Sequence, residues 1–115
     1  SRPIFFFFSE LIEADILAGI PPEGAQAPST TEIAAFRRIN PATALKGVSL
    51  LVDAQILEKR RGVGMFVTIG ARERILARRR DTFEADFIAP LLHEADALGL
   101  TPDQIITLIR KAAQR

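Results

Sequence analysis

The chain has 115 residues, 48% of them hydrophobic and 25% charged, a composition typical of one folded domain with, at most, a small appendage. Because the formal net charge is only +1, any affinity for nucleic acid must come from a local cluster of basic residues rather than from overall charge. The chain has no cysteine and a single histidine, His93, which excludes disulfides and leaves too few ligands for a metal centre built on Cys or His. We therefore expect no metal and no cofactor.

The opening segment PIFFFF is apolar, but Glu10 follows too soon for a secretory or membrane-spanning segment, which need about 7–15 and about 20 apolar residues. A cytoplasmic protein without a membrane partner is therefore expected.

Residues 4–18 predict a helix whose core face consists of Phe5, Phe8, Leu11, Ile12 and Ile16. Four successive phenylalanines sweep about 300° of a helix, so Phe6 and Phe7 fall outside this face and need another partner. Phe6 falls on the side of Glu10 and Glu13.

Two short helices joined by a tight turn are predicted next. The sequence STTE, 29–32, fits a capping box, in which Ser29 and Glu32 each hydrogen-bond the other's amide. The residues that this helix should bury are Ile33, Ala34 and either Phe36 or the stem of Arg37. Asn40 is a good N-cap and Pro41 a good first residue for the second helix, which should run from 41 to about 54. Its buried face should consist of Ala44, Val48, Leu51 and Val52.

Two strands, 56–60 and 65–69, follow and are joined by the sequence RGVG. A helix-turn-helix followed by a hairpin is a winged helix-turn-helix, which we assign to residues 1–69. Gly62 and Gly64 are not a dinucleotide-binding fingerprint, because a third glycine is missing and a strand follows; alone, they favour an ordinary hairpin. A cluster of basic residues around these elements favours contact with phosphate instead. The cluster consists of Arg37, Arg38, Lys46, Lys59, Arg60 and Arg61.

Residues 70–115 predict a helical tail. The first helix of the tail carries an apolar stripe of Leu76, Phe83, Phe87, Leu91, Ala95 and Leu98. Pro90 should kink or break this helix, because it has no amide hydrogen to donate. The arginine-rich segment 72–80 is expected to be a solvated face, with secondary contact to phosphate as the alternative. A second capping box, TPDQ at 101–104, opens a final helix rich in isoleucine.

A helical tail of roughly 45 residues is too small to bury its own apolar stripes as an independent unit. We therefore predict that the tail is a dimerisation region, docked near the first helix within a two-fold homodimer. The predicted interface residues are Phe6, Phe7, Leu76, Phe83, Phe87, Leu91, Ile105 and Ile109.

Residues 3–67 resemble the GntR family of bacterial winged helix-turn-helix transcription regulators, and the short tail with INPATALKG resembles its YtrA-like branch. The resemblance rests on the opening Pro-apolar-aromatic sequence, Pro-Ser at 28–29, the turn between the helices, and the Arg-x-Gly-x-Gly-x-aromatic-Val sequence of the hairpin. It implies a mainly α fold with a small β wing, and a dimeric repressor on a palindromic DNA operator. The helix 41–54 would lie in the major groove and the wing glycines near the minor groove.

The resemblance and the basic cluster together define the candidate DNA-binding residues. These are Ser29, Thr31, Arg38, Asn40, Pro41, Ala42, Thr43, Lys46, Lys59, Arg60, Arg61, Gly62 and Gly64. Thr43 and Asn40 are the candidates for contact with base edges or adjacent phosphate, and Lys46, Arg60 and Arg61 for phosphate.

The chain also departs from the family pattern. Thr31, Pro41 and Leu45 stand where a typical member can use a basic residue, and Gln55 replaces a glycine usual after the reading helix. A winged-helix protein-interaction module without DNA binding is therefore an alternative. An enzyme is a third and more distant hypothesis. The carboxylates at 81, 84 and 86 argue against it, because no nucleophile or set of metal ligands surrounds them in the sequence. The sequence names no small-molecule effector.

Overall fold

The computed structural model describes residues 2–115 and has the predicted fold class, mainly α-helical with a small β wing. The helices are α1 Ile4–Leu17, α2 Thr30–Arg37, α3 Pro41–Asp53, α4 Ala71–Phe83, α5 Ala89–Ala97 and α6 Pro102–Ala113. The strands are β1 Gln26–Ala27, β2 Leu57–Arg60 and β3 Gly64–Val67. The chain forms two compact units, of which the first ends at Ala77 and the second spans Arg78–Arg115.

The wing is a three-stranded antiparallel sheet in the order β1-β3-β2, rather than the two-stranded hairpin that the sequence predicts. Phe66 of β3 lies opposite Glu58 of β2 on one edge and opposite Gln26 of β1 on the other. Backbone N–H···O bonds extend this edge, since Val67 donates to Ala25 at 3.0 Å. The short extended segment after α1 therefore closes one side of the wing.

The core of the first unit forms where α1, α2, α3 and the sheet meet. On α3 the predicted buried face is confirmed, with Ala44, Val48 and Leu51 almost inaccessible and Val52 packed against them. The buried residues of this core are Phe8, Ile12, Ile16, Ala27, Ala34, Ala44, Val48, Leu51, Ile56, Leu57, Val67, Ala71 and Ile75. This core fixes α2 and α3 against the wing.

The predicted core face of α1 is partly wrong. Phe8, Ile12 and Ile16 are buried and Phe5 is half-buried, but Leu11 is exposed. Ser9 and Glu13 are buried instead, although the helical period places Glu13 on the polar side. The buried arc is therefore rotated away from Leu11. Leu11 shares a second, exposed apolar stripe of α1 with Ile4 and Phe7.

The close approach of α1 to α3 at Gly47 explains this rotation. A Cβ at position 47 would lie 2.6 Å from a ring carbon of Phe8 and 3.1 Å from the Phe5 carbonyl oxygen. Because Gly47 has no side chain, the ring of Phe8 sits directly against the α3 backbone, and the residues of α1 next to Phe8 are the ones that become buried.

On α2 the sequence left open whether Phe36 or the stem of Arg37 is buried. Phe36 is 87% exposed, whereas Arg37 is half-buried and forms an ion pair with Asp15 of α1 at 2.6 Å. Burial of Phe36 is therefore wrong. The ion pair turns the last residue of α2 toward α1, and the helix then rotates Phe36 to the surface.

Gln55 follows α3 in the left-handed region with φ 61°, as the glycine usual at this position predicts. We expect Gln55→Gly to raise the free energy of unfolding by about 0.5–1 kcal/mol, because glycine avoids the left-handed penalty but is more flexible when unfolded. The Gln55 carbonyl, which accepts a hydrogen bond from the Thr68 hydroxyl at 2.7 Å, is kept in the variant. Urea denaturation measures the change.

The matched control is Ala54→Gly, one residue earlier at φ −81°, where glycine has no conformational advantage. This variant should lower the free energy of unfolding. If Gln55→Gly is no more stable than the wild type, strain at this position is not significant.

The first turns of α4 belong to the core of the first unit. Ala71 and Ile75 are fully buried, and the unit extends to Ala77, beyond the predicted end of the winged domain at residue 69. Two arginines of the segment predicted as a solvated face are hydrogen-bonded to this unit. The Arg72 guanidinium donates to the Leu17 carbonyl, and that of Arg74 to the Ile69 carbonyl at 3.0 Å.

The carboxylate of Glu23 caps the N-terminus of α4. It accepts the N–H groups of Gly70 at 2.8 Å and Arg72 at 2.9 Å. These two bonds, helped by the charges of Arg74 and Arg72, hold the pKa of Glu23 below its ordinary value of 4.5. The stabilisation that the carboxylate provides is therefore present above pH 4.5 and is lost as pH falls through the lowered pKa.

The second unit consists of the end of α4 followed by α5 and α6. Pro90 lies in the first turn of α5, and a π-helical turn, Glu84–Ile88, precedes it. A widened turn accommodates a residue that cannot donate the usual helical hydrogen bond. The predicted Thr101–Gln104 capping box is present, with bonds of 2.8 and 3.2 Å. Within residues 2–115, no helix is long and apolar enough to cross a membrane.

Candidate nucleic-acid interface

The turn between α2 and α3 leaves the beginning of α3 open to solvent. Arg38 ends α2 in the left-handed conformation with φ 55°, and Asn40 then caps α3. The Asn40 side-chain oxygen accepts the N–H of Ala42 at 2.8 Å and that of Thr43 at 3.4 Å. Asn40, Pro41 and Ala42 are exposed and Thr43 is half-buried. The positive end of the α3 dipole thus faces solvent beside these residues.

Ser29 occupies the corresponding position at the start of α2, where the predicted capping box is present. Its hydroxyl accepts the Glu32 N–H at 3.1 Å, and its own N–H donates to the Glu32 carboxylate at 3.0 Å. The N–H and then the hydroxyl of Ser29 lower the pKa of Glu32. Ser29 is therefore already engaged within the chain, whereas the neighbouring Thr31 is exposed.

The tip of the wing is a tight turn closed by the Val63 N–H, which donates to the Arg60 carbonyl at 3.0 Å. Gly62 is exposed at φ 75°, and a Cβ added to it would meet no atom within 4 Å. At Gly64, φ is 137° and a Cβ would lie 2.5 Å from the Gln26 amide nitrogen. The positive φ at both positions favours glycine, and without a side chain at Gly62 the tip can approach another surface closely.

The candidate basic residues are all exposed but differ in how they are engaged. The Arg60 guanidinium lies 4.0 Å from the centre of the Phe66 ring and 3.5 Å from the Glu58 carboxylate. The Lys46 ammonium lies 5.6 Å from the Phe5 ring. Within the described part of the chain, no side-chain hydrogen bond or ion pair holds the three other candidates, Arg38, Lys59 and Arg61. These three are therefore free to bind phosphate.

Arg37, which the sequence grouped with these cations, forms an ion pair with Asp15 and is therefore not free to bind phosphate. A groove of about 570 Å³ adjoins this ion pair and is lined mainly by apolar residues of α1, α2 and the sheet. The carboxylates of Asp15 and Glu32 also line the groove. Because these carboxylates would repel a phosphate backbone, the groove is not part of the candidate interface.

Sequence reasoning missed an apolar cleft between α2 and α3. The cleft has a volume of about 430 Å³ and is lined by Thr30, Thr31, Ala34, Ala35, Ile39, Pro41 and Leu45. Leu45 is 57% exposed. The helical period does carry this signal, since Leu45 falls outside the predicted buried face of α3 and therefore had to be a surface leucine.

The predicted dimer-interface residues lie in both units and differ in exposure. Phe6 is half-buried, with its ring 4.8 Å from that of Phe5, and Phe7 is exposed. Phe83 and Phe87 are exposed and their ring centres are 5.5 Å apart. Leu91 and Ile109 are exposed and Leu76 is half-buried, but Ile105 is buried within the second unit. Ile105 therefore has little surface left for a partner.

Two helices joined by a turn, a wing with an open tip, and free basic residues beside both define a winged helix-turn-helix protein. The sequence matches no protein-family profile and no curated protein sequence. Solved structures do match. A structure described as a transcriptional regulator of the GntR family from Bacteroides thetaiotaomicron has a TM-score of 0.79 and 26% identity, and the match covers 98% of both chains.

Two further structures share the fold at lower identity. YtrA from Sulfolobus acidocaldarius, a GntR-family transcription factor, has a TM-score of 0.51 and 19% identity over 99% of this chain and 90% of its own. S. agalactiae BusR in complex with its busAB-promotor DNA has a TM-score of 0.63 and 21% identity over 99% of this chain and 57% of its own. The protein thus has the fold of GntR-family transcription regulators, as its sequence predicted.

Proposed function

We propose that the protein is a homodimeric, sequence-specific DNA-binding regulator that represses transcription from a palindromic operator. The observation that carries the proposal is the open N-terminal end of α3, with three unpaired basic residues, Arg38, Lys59 and Arg61, on the adjoining turn and wing. In this arrangement α3 lies in the major groove and the wing tip, Gly62–Gly64, lies along the minor groove. BusR, whose structure contains promoter DNA, supports the proposal by its fold.

The side chains divide into three roles. Arg38, Lys59 and Arg61 bind phosphate, assisted by Lys46 and Arg60 from their positions over aromatic rings. Ser29, Thr31 and Asn40 position the two helix N-termini, where backbone N–H groups favour an anion. Pro41, Ala42 and Thr43 face the base edges.

Dimerisation is supported by the apolar surface of the second unit. In this unit only Ala95 and Ile105 are buried among the described residues, and many large apolar side chains are exposed. These are Phe83, Phe87, Leu91, Leu92, Leu98, Ile106, Leu108 and Ile109. A second copy can cover them, and a two-fold pair would place its two reading helices about 34–36 Å apart, one turn of duplex. The dimer would repress transcription where such an operator overlaps a promoter.

Selection from random duplex DNA tests the proposal. The full chain should enrich sequences that contain two inverted half-sites whose centres are about 10–10.5 base pairs apart, or a multiple of this. Its affinity for an enriched duplex should fall steeply as salt is raised, because phosphate contacts release counterions.

The outcome that would contradict the proposal is equally direct. If no sequence is enriched and binding to duplex is weak at low salt, the winged helix is a protein-interaction module. The exposed ring of Phe36 and the absence of basic residues at Thr31, Pro41 and Leu45 are the features that favour this second function.

A further inference from the structure

The exposed surface at the beginning of α3 is mostly hydrocarbon. Pro41 and Ala42 are exposed, and Leu45, one turn further, is more than half exposed. The surface continues into the cleft of about 430 Å³, where Ala34, Ala35 and Ile39 supply further methyl and methylene groups. The polar groups of the cleft are the hydroxyls of two threonines, which also present methyl groups.

The strongest contact for reading guanine would have to come from Lys46, which the proposed function already assigns to phosphate. Guanine is recognised when Arg or Lys donates to its O6 and N7 atoms. The one basic residue of α3 is Lys46, and its ammonium lies over the Phe5 ring of α1, at 5.6 Å.

The side-chain amide that could read adenine is also committed. Recognition of adenine requires an Asn or Gln that accepts from N6 with its oxygen and donates to N7 with its nitrogen. The oxygen of Asn40 already accepts two N–H groups of α3, at 2.8 and 3.4 Å. Binding adenine in this way would therefore break the N-cap of the reading helix.

One major-groove feature remains that an apolar surface can recognise, the C5-methyl group of thymine. We propose that Leu45, with Pro41 and Ala42, reads thymine methyl groups, so that each half-site of the operator contains at least one thymine that this surface contacts. This inference rests on the proposed function. Arg38, which precedes the cleft residue Ile39, is exposed and unpaired in the described chain, as are Lys59 and Arg61 of the wing. These charges favour DNA over an apolar protein partner.

The size of the effect follows from the area of one methyl group. Burial of a methyl-sized group is worth about 0.8 kcal/mol, which corresponds to a change in affinity of about fourfold. The contact involves no hydrogen bond to the base. The preference for thymine should therefore depend on its methyl group and not on its hydrogen-bonding groups.

Deoxyuridine provides the test, because it keeps the hydrogen-bonding groups of thymidine and lacks only the methyl group. Thymidines of a duplex selected by the full chain are replaced one at a time by deoxyuridine, and the affinity of the wild-type protein is measured. We expect a loss of about fourfold at one or more positions in each half-site. At those positions Leu45→Ala should bind the two duplexes equally.

Ile69→Ala is the matched control, because Ile69 is an exposed aliphatic residue outside the cleft. This variant should keep the preference for thymidine. Thermal unfolding of both variants verifies that they are folded, and the arm with wild-type protein does not depend on any variant.

Equal affinity of the wild type for the thymidine and deoxyuridine duplexes at every position would overturn thymine reading and leave sequence-specific binding intact. Failure of the selection to enrich any duplex would instead overturn the proposed function, and with it this inference. A preference for thymidine that survives in Leu45→Ala would overturn the assignment to Leu45.

Discussion

Replacing Phe83 and Phe87 together with glutamine is expected to convert the protein to a monomer and to weaken its binding to a two-half-site operator by about 10²–10⁴-fold. Both rings are exposed in the single chain, and their centres lie 5.5 Å apart. Each aromatic side chain can bury about 150–250 Å² in an interface. A monomer binds one half-site at a time and loses the advantage of binding the second half-site from a position already close to it.

Sedimentation measures the oligomeric state and a titration with operator duplex measures the affinity. The control is Phe36→Gln, which removes an even more exposed ring, in the first unit and outside the predicted interface. This control should remain dimeric. A Phe83/Phe87 variant that sediments like the wild type would exclude these rings from the interface, and a dimeric Phe7→Gln variant would exclude Phe7.

Point variants are a sharper test than removal of the tail. A chain that ends at Ile69, the predicted end of the winged domain, would lose Ala71 and Ile75, which are both fully buried in the first unit. Such a truncation would damage the core of the DNA-binding unit, and loss of the dimer could then not be separated from loss of the fold.

The second large effect is expected from removing the free cations of the wing. Lys59→Ala combined with Arg61→Ala should lower the slope of log affinity against log salt by about 2, close to 1 per lost phosphate contact. The corresponding loss of affinity is roughly 30-fold near physiological salt and should be similar for all sequences. Lys59 and Arg61 are preferred to Arg60, whose guanidinium is stacked on Phe66.

A control with the same change of net charge is available outside the wing. Arg2→Ala combined with Arg110→Ala removes one cation that pairs with Glu10 at 2.6 Å and one from the exposed surface of α6. The control should keep the slope of the wild type. An unchanged slope in the wing variant, or an equal decrease in both, would show that the wing does not bind phosphate.

The sequence predicted those features of the fold that depend on neighbouring residues. Both capping boxes and the Asn40 cap are present, because the groups that form them are at most three residues apart. The left-handed conformation of Gln55 was also predictable, from the glycine that the family uses there. The features that were missed depend on distant contacts.

Two examples show why distant contacts escape a periodicity argument. The buried arc of α1 is set by Gly47, a residue of another helix whose missing side chain admits Phe8. Strand β1, which adds a third strand to the predicted hairpin, consists of only two residues and is too short to show an alternation of polar and apolar side chains. In both cases the residues that determine the structure lie outside the segment whose structure they determine.

For the candidate site, the sequence named residues of which the structure leaves all but Thr43 and Gly64 exposed, but it could not predict how their side chains are engaged. Arg37 is held by Asp15, and the oxygen of Asn40 is held by the helix that it caps. These partners decide which side chains are free for DNA, and they depend on how α1 and α3 are placed. The roles of individual residues in DNA binding and dimerisation remain predictions.

The small number of buried residues in the second unit links the amount of active dimer to the concentration of the chain. Since only Ala95 and Ile105 are buried there among the described residues, we expect the folding of this unit to depend on the proposed association with a second copy. The stability of a chain of this kind depends on its own concentration by mass action. Below the dissociation constant of the dimer, doubling the concentration of the chain raises the amount of operator-competent dimer about fourfold. The amount synthesised can then act as a threshold signal without a bound effector.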